Sequence, residues 1–111
     1  MTAPDFIEIG SDDPAAAKAF FGALFDWPWV AMDDAGAGYF EDGARQVGLN
    51  GGDAPCVVPN LAVPDIDAAA SRVAELGGTL MGRIENAGPL GRFATCKDPR
   101  GARFGLHQRP D

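Results

Sequence analysis

The chain has 111 residues, 46% of them hydrophobic and 9% aromatic, a length and composition typical of a single compact domain, here residues 1–111. Its 9 Lys and Arg against 16 Asp and Glu give a net charge of −7, so we expect neither nucleic acid nor a membrane surface as a partner. No run approaches the roughly 20 apolar residues that a bilayer span needs, and the acidic N-terminal segment lacks the basic start of a signal peptide, so we expect a cytoplasmic protein.

The first predicted element is a strand at FIEIG (Phe6–Gly10), in which apolar and polar residues alternate. Successive side chains of a strand point to opposite faces, so Ile7 and Ile9 are expected to face the core together. Phe6 and Glu8 are then expected on the opposite face.

A helix is predicted next, within the segment DPAAAKAFFGAL. Asp13 is a candidate N-cap, and Pro14 takes the favoured first helical position. Apolar residues then recur at the i, i+3, i+4, i+7 spacing of one helix face: Ala17, Phe20, Phe21 and Leu24. We expect this stripe to pack against the strands.

The second half of the chain repeats the first. The segment DIDAAASRVAEL, which starts at Asp65, matches the first helical segment and is ended by Gly77 and Gly78. The closing segment GARFGLHQ (Gly101–Gln108) likewise matches GARQVGLN (Gly43–Asn50). A repeat in the same order predicts two copies of one unit, each with a strand, a helix and about three further strands.

Alternation in the two closing strands separates core residues from those of the other face. Val47 and Leu49 in the first strand, and Phe104 and Leu106 in the second, are expected to face the core. The opposite face then carries polar residues and glycines: Gln46, Gly48, Asn50, Arg103, Gly105 and His107.

Three stretches of this sequence resemble a known superfamily. FIEIGSDDPAAAKAFFGALFDW is similar to the opening of the vicinal-oxygen-chelate superfamily of glyoxalase I, bleomycin-resistance proteins and extradiol dioxygenases. VPDIDAAASRVAELGGTL followed by RFATCKDPRGARFGL resembles the second module of that superfamily. The resemblance implies an α+β fold in which tandem βαβββ modules, about 5–51 and about 56–109, form a cupped mixed sheet with a groove on the face away from the helices.

The metal-ligand positions that this resemblance implies carry no donor side chains. Metal-using members of the superfamily place His on the first strand of each module and Glu on the last. Aligned on the repeat, the His positions fall at Phe6 and Val58, and the Glu positions fall at Gly48 and Gly105. The chain also has a single His, so a site of two His and one carboxylate cannot form within one subunit. We therefore expect no bound metal and no cofactor.

The predicted groove face supplies the candidate ligand-binding residues. Asn60 joins them because it stands as many residues before its helix as Glu8 does before the first. Glu8 is equally compatible with an ion pair to Arg103, and His107 with an ordinary place on an edge strand. The candidates are Phe6, Glu8, Gln46, Asn50, Asn60, Arg103 and His107.

Two classes of function remain open at this point. An acidic, metal-free groove is suited to binding a small cationic or aromatic compound by burial, stacking and a few hydrogen bonds, as the resemblance to bleomycin-resistance proteins implies. The alternative is a metal-independent isomerase or lyase of a small oxygenated metabolite, with Glu8 or His107 as the general base.

The aromatic segment FDWPW suggests that the chain associates with a second copy of itself. Trp27 and Trp29 are best explained as core and subunit-interface residues, because two small modules leave apolar surface poorly covered. We therefore expect a homodimer.

The two cysteines, Cys56 and Cys96, lie far apart in the sequence and show no C-x-x-C spacing. This arrangement is not typical of a zinc site or of a disulfide framework. Both are expected to be reduced thiols that pack in the core.

Overall fold

The structure is a computed structural model, and it describes residues 4–34, 36–43, 45–52 and 54–110. Within these residues the order strand, helix, three strands occurs twice. The first set is β1 (Pro4–Ser11), α1 (Pro14–Phe25), β2 (Trp29–Ala31), β3 (Gly38–Asp42) and β4 (Arg45–Gly51). The second set is β5 (Cys56–Ala62), α2 (Ile66–Glu75), β6 (Thr79–Asn86), β7 (Arg92–Lys97) and β8 (Arg103–Gln108), with a short 3-10 helix at Gly88–Leu90 before β7.

Both modules arrange their four strands in the same order. The order is β1-β4-β3-β2 in the first module and β5-β8-β7-β6 in the second. In each, the first strand pairs in parallel with the last, and the other pairs are antiparallel. The predicted α+β fold built from two βαβββ modules is therefore confirmed.

The chain divides into two compact units. The first unit is Phe6–Val58, and the second consists of the start of β1 as far as Asp5 together with the chain from Pro59 onward. Within the second unit, the carboxylate of Asp5 contacts His107 and Arg109 near the C-terminal end. The module boundaries at about 5–51 and 56–109 stay a prediction from the sequence.

The core of the second unit lies between α2 and one face of its strands. Ile66, at the start of α2, and Cys96, on β7, are fully buried, and Leu106 is 6% exposed. Val73 of α2 and Phe104 of β8 pack against this cluster. The alternation of β8 predicted that Phe104 and Leu106 face the core. The α2 helix is fixed at its N-terminus by Asp65, whose carboxylate accepts a hydrogen bond from the backbone N–H of Ala68 at 3.1 Å.

The α1 helix begins as the sequence predicts but is buried less than its pattern suggests. The carboxylate of Asp13 accepts a hydrogen bond from the Ala16 N–H at 3.1 Å, and Pro14 is the first helical residue. Of the predicted apolar stripe, Ala17 and Phe21 are half-buried, as expected of residues that face the strands. Phe20 and Leu24 are exposed, because the stripe is wider than the part of the helix that the strands cover.

The prediction that Ile7 joins Ile9 in the core is wrong. Ile9 is 4% exposed, whereas Ile7 is 43% exposed, although both lie on the helix side of β1. Ile9 shares a cavity wall with Ala17 and Phe21 of α1, so the helix lies beside that end of the strand and leaves Ile7 in contact with solvent.

No helix formed by the described residues combines the length and the apolar character that crossing a membrane requires.

Candidate functional site

On the strand face turned away from α1, the first unit has a position without a side chain, at Gly48 of β4. Gly48 pairs with Tyr39 of β3 on one side and with Glu8 of β1 on the other. Directly paired residues of neighbouring strands share a face and lie about 5 Å apart, so Tyr39 and Glu8 rise on either side of the glycine. Both side chains are half-buried.

The ring of Phe6 fills the space above Gly48. A Cβ atom added at Gly48 would lie 3.0 Å from Cε1 and 3.1 Å from Cζ of Phe6, and 3.7 Å from Cγ of Glu8. Phe6 is 5% exposed, so its ring is held in this position by packing. The glycine at position 48 is therefore explained by the close approach of Phe6, and the two residues together form an apolar floor between Tyr39 and Glu8.

A second carboxylate lies on the same face, one step along the strands. Glu41 of β3 pairs with Gln46 of β4, and Gln46 Nε2 donates a hydrogen bond of 3.4 Å to Glu41 Oε2. Asn50 continues this face of β4 and is exposed. We call Phe6, Glu8, Tyr39, Glu41, Gln46 and Gly48 the acidic face. Within the described parts of β1, β3 and β4, this face holds two carboxylates and no Lys or Arg.

The acidic face contains three of the predicted site residues, Phe6, Glu8 and Gln46, and Asn50 extends it. Tyr39 and Glu41 were not among the predicted site residues. The alternation of GYFED, with the buried Phe40 between them, could have identified both.

In the second unit, the predicted residue Asn60 packs against Gly105. The two residues are partners on the parallel strands β5 and β8, and a Cβ atom added at Gly105 would collide with the side-chain oxygen of Asn60. Asn60 is 2% exposed. The space that a larger residue at position 105 would need is therefore occupied by Asn60.

His107 is buried, and both of its ring nitrogens are engaged. Nδ1 lies 3.1 Å from both carboxylate oxygens of Asp5, and Nε2 lies 2.7 Å from the backbone carbonyl oxygen of Leu90. The ring stacks on Phe93, with centroids 4.3 Å apart and an angle of 5° between the planes. Because a carboxylate and a carbonyl are acceptors, both contacts are hydrogen bonds only when both ring nitrogens carry a hydrogen. These contacts support a structural role for His107.

Asp5, whose side chain is 10% exposed, was not among the predicted site residues. It accepts a hydrogen bond of 2.7 Å from Arg109 Nε in addition to its contacts with His107. The two partners lie about a hundred residues further along the chain, so no local spacing signals the cluster. Arg103, the remaining predicted residue of this unit, is exposed at the start of β8 and lies opposite Lys97 of β7.

The first unit also has an apolar cavity of about 250 Å³ that the sequence pattern did not indicate. It lies beside α1, on the helix side of the strands, and therefore on the opposite face from the acidic face. Its walls are formed by Ile9, Gly10, Ser11, Ala17, Phe21, Pro55, Cys56 and Val57. Another groove, of about 430 Å³, adjoins the residues before α2 and is bounded by Ala62, Val63, Pro64, Gln108 and Arg109.

The part of the chain that the structure describes holds no group of three or more His, Cys, Asp or Glu side chains placed to bind one metal ion. At the two Glu positions implied by the superfamily resemblance, the space is taken by neighbouring side chains, Phe6 over Gly48 and Asn60 over Gly105. Phe6 and Val58, at the implied His positions, are buried apolar residues, 5% and 7% exposed.

Comparison with known proteins identifies relatives over nearly the whole chain. The family model described as a glyoxalase-like domain matches residues 6–107. The chain is 29% identical over 120 residues to CFP32 of Mycobacterium tuberculosis, which is named a glyoxylase, and the match covers 95% of this chain and 45% of that protein. It is 30% identical over 129 residues to the anthracycline biosynthesis protein DnrV of Streptomyces peucetius, covering 96% of this chain and 47% of that protein. The chain thus spans slightly less than half the length of these relatives.

Solved structures show the same fold. The protein BH1468 of Bacillus halodurans has a TM-score of 0.71 at 13% identity, with coverage of 99% of this chain and 96% of that one. The methylmalonyl-CoA epimerase of Mycobacterium tuberculosis has a TM-score of 0.68 at 16% identity, with coverage of 97% and 88%. A glyoxalase/bleomycin resistance protein/dioxygenase superfamily member from Vibrio splendidus has a TM-score of 0.61 at 18% identity, with coverage of 97% of both chains. At these identities, the likeness establishes the fold alone.

Proposed function

Since the chain belongs to the glyoxalase-like domain family, we propose that it binds a small cationic or aromatic compound on the acidic face. The observation that carries this proposal is the arrangement around Gly48. The ring of Phe6 covers the glycine and forms an apolar surface, Tyr39 and Glu8 stand on either side of Gly48, and the second carboxylate, Glu41, follows one step along the strands.

The chemistry of these groups favours a cation with a flat apolar body. The carboxylates of Glu8 and Glu41 attract positive charge, and the ring of Tyr39 offers a π-face that a cation or an aromatic ring can approach. The net charge of −7 extends this attraction beyond the contact itself. Because Glu8 and Tyr39 are half-buried, a bound compound would be partly shielded from water, which strengthens charge interactions relative to the open surface.

One relative supports an aromatic ligand. DnrV is named for anthracycline biosynthesis, and anthracyclines are compounds with fused aromatic rings. One fold can serve both ligand binding and catalysis. The proposed binding function therefore rests on the residues of the acidic face and not on the fold.

A charge-matched series of flat compounds tests the proposal. Proflavine, acridone and an anthraquinone sulfonate have fused-ring bodies and differ in charge, being cationic, neutral and anionic. We expect proflavine to raise the melting temperature of protein pretreated with a chelator, because a compound that binds only the folded state stabilises it. The anionic compound is expected to have no effect. Equal shifts for all three would contradict a charge-selective site, and no shift with any of them would overturn the proposal.

A second candidate function is a metal-independent isomerase or lyase reaction with Glu8 as the general base. The contacts of His107 favour Glu8 for this role, because both nitrogens of His107 are engaged by Asp5 and Leu90. Glu8 lies beside the apolar Phe6 ring at Gly48 and is half-buried, on the same face as Tyr39, so its carboxylate can contact a compound bound on that face. Incubation of α-keto acids and acyl thioesters in heavy water would reveal such a base as exchange of the proton next to the carbonyl group. Exchange that is lost in Glu8→Gln supports this function, and exchange that persists in the variant excludes it.

A further inference from the structure

The apolar cavity beside α1 is large enough to hold a small molecule. Its volume is about 250 Å³. An apolar cavity of roughly 150 Å³ stays dry and accepts a benzene ring, so this cavity has room for about two fused rings. Spaces of this size are few in a close-packed protein, because the atoms that line an empty cavity lose their dispersion contacts on that side. A compound that fills the cavity would restore those contacts.

Small residues on facing walls account for this space. Ala17 and Phe21 form the wall on the α1 side, and Gly10 and Ser11 belong to the wall at the end of β1. Glycine has no side chain and alanine has a single methyl group, so volume that larger residues would fill stays open between the helix and the strand. A larger residue at position 17 is therefore expected to fill the cavity.

The cavity is open to solvent at the start of β5. Val57, one of its wall residues, is 59% exposed, and its neighbour Cys56, which also lines the cavity, is half-buried. A compound can therefore enter from solution without unfolding the unit. The thiol of Cys56 also provides a chemical reporter of whether the cavity is occupied.

The walls of the cavity favour an uncharged ligand. The described residues that form them include no Asp, Glu, Lys or Arg. An ion that entered would lose part of its hydration shell without gaining an opposite charge, which is unfavourable. An apolar compound gains free energy instead, because its surface is removed from water against Ile9, Phe21 and Val57.

Ser11 adds a buried hydroxyl group to these apolar walls. It is 9% exposed, and its Oγ accepts a hydrogen bond of 3.0 Å from the backbone N–H of Asp13. A hydroxyl group can accept and donate at the same time, so Ser11 can donate its hydrogen to an oxygen atom of a bound compound. In the second module the residue at the same distance before the N-cap of the helix is Val63, which packs against the core. The first module thus has a polar group at the cavity where the second has an apolar core contact.

We propose that the cavity beside α1 is a second ligand site, which binds an uncharged compound of about two fused rings through apolar contacts and one hydrogen bond from Ser11. This site lies on the helix side of the strands, opposite the acidic face. Because no charge interaction is involved, binding in the cavity should not weaken as salt is added. Binding of a cation to the acidic face should weaken under the same conditions, so failure of one proposal does not imply failure of the other.

A matched series of bicyclic compounds tests this site. 1-Indanone is an uncharged ketone, indane has the same skeleton without the oxygen, and indane-1-carboxylate is an anion. We expect 1-indanone to raise the melting temperature and to slow the labelling of Cys56 by iodoacetamide at least several-fold, because Cys56 lines the cavity. Indane-1-carboxylate should do neither. Ser11→Ala should weaken the binding of 1-indanone roughly two- to tenfold more than that of indane, which cannot accept a hydrogen bond.

A variant that fills the cavity locates the bound compound. Ala17→Leu places a larger side chain on the α1 wall and should abolish both effects of 1-indanone, with an unchanged circular dichroism spectrum. Ala19→Leu is the matched control, because it makes the same substitution at an exposed position of α1, and it should retain both effects. The protection of Cys56 is measured in the unmodified chain, so the test does not depend on the folding of Ala17→Leu.

Three results would overturn the proposal. The first is an unchanged labelling rate of Cys56 together with an unchanged melting temperature in saturating 1-indanone. The second is binding that persists in Ala17→Leu, which would place the compound elsewhere. The third is equal binding of the ketone and the carboxylate, which would show that the site does not select an uncharged compound. Equal losses of 1-indanone and indane binding in Ser11→Ala would overturn the hydrogen bond assigned to Ser11.

Discussion

The side chain of Asn60 lies against the backbone of Gly105, its partner on the neighbouring parallel strand. A Cβ atom added at Gly105 would be 2.5 Å from Cγ of Asn60 and in collision with its oxygen. Because Asn60 is 2% exposed, its side chain has no room to move away. Packing against Asn60 therefore requires a glycine at position 105. This is one of the two positions at which the superfamily resemblance implies a metal-binding Glu.

Substitution of Gly105 should destabilise the protein. Gly105→Ala forces a methyl group into Asn60, and overpacking of this kind costs about 1–3 kcal/mol of unfolding free energy. Gly22→Ala is a control that should stabilise the protein. Its Cβ would meet Phe40 at an ordinary contact distance of 3.5 Å, and alanine is more stable than glycine in a helix by roughly 0.5–1 kcal/mol. Urea unfolding measures both. A Gly105→Ala protein as stable as the unmodified chain would contradict the observed packing.

Removal of His107 should destabilise the second unit more than removal of Arg109. His107→Ala removes a buried ring together with its contacts to the Asp5 carboxylate, 10% exposed, and to the Leu90 carbonyl, and the loss of a buried hydrogen-bond partner costs about 1–3 kcal/mol. Arg109→Ala removes a side chain that is 70% exposed, so its effect should be smaller. Thermal unfolding of the two variants gives the ranking. Equal losses of stability in the two variants would contradict the prediction that the buried imidazole stabilises the second unit more than the exposed Arg109 side chain does.

The two cysteines should differ in reactivity. Burial raises the pKa of the Cys96 thiol, which is completely inaccessible to solvent, so little reactive thiolate is expected there. Cys56 is half-buried and lines the open cavity beside α1. In dilute folded protein, iodoacetamide should label Cys56 first, and Cys96 should react only after unfolding. Labelling of the Cys56→Ser variant in the folded state would show that Cys96 is less protected than the structure indicates.

The pair of Asp67 and Arg92 should contribute to stability at neutral pH and not in strong acid. The two hydrogen bonds from Arg92, of 3.0 and 3.2 Å, together with its positive charge, lower the pKa of Asp67 below its ordinary value of 3.8. A lowered pKa means that the stabilisation is present above the unfolded-state pKa and is lost as the pH falls through the folded-state pKa. A double-mutant cycle with Asp67→Asn and Arg92→Gln should therefore show coupling at pH 7 that disappears near about pH 2. Coupling that is unchanged in acid would contradict this account.

Local patterns in the sequence predict much of the fold. The capping carboxylate of Asp13 and the internal repeat correctly indicate one helix in each module, since these signals depend on neighbouring residues. Period-two alternation correctly places Phe104 and Leu106 in the core and Glu8 on the opposite face. The repeat also identified Gly48 and Gly105 at the implied metal-ligand positions. It did not predict that Phe6 and Asn60 fill the space above these glycines.

Contacts between distant residues could not be predicted in this way. Nothing near His107 in the sequence indicates that its ring meets Asp5, because the contact joins the two ends of the chain. The exposure of Ile7 and Phe20 depends on how much of each element its neighbour covers, and periodicity gives the direction of a side chain but not that coverage.

The central claim is that the acidic face binds a cation, and a calorimetric titration of proflavine into the protein tests it most directly. The control for Glu8→Gln is Glu85→Gln, which removes the same charge from an exposed residue of β6. We expect binding to the unmodified chain and to Glu85→Gln, at least a several-fold loss of affinity in Glu8→Gln, and weaker binding as salt is added. Equal affinity of all three proteins, independent of salt, would contradict the claim.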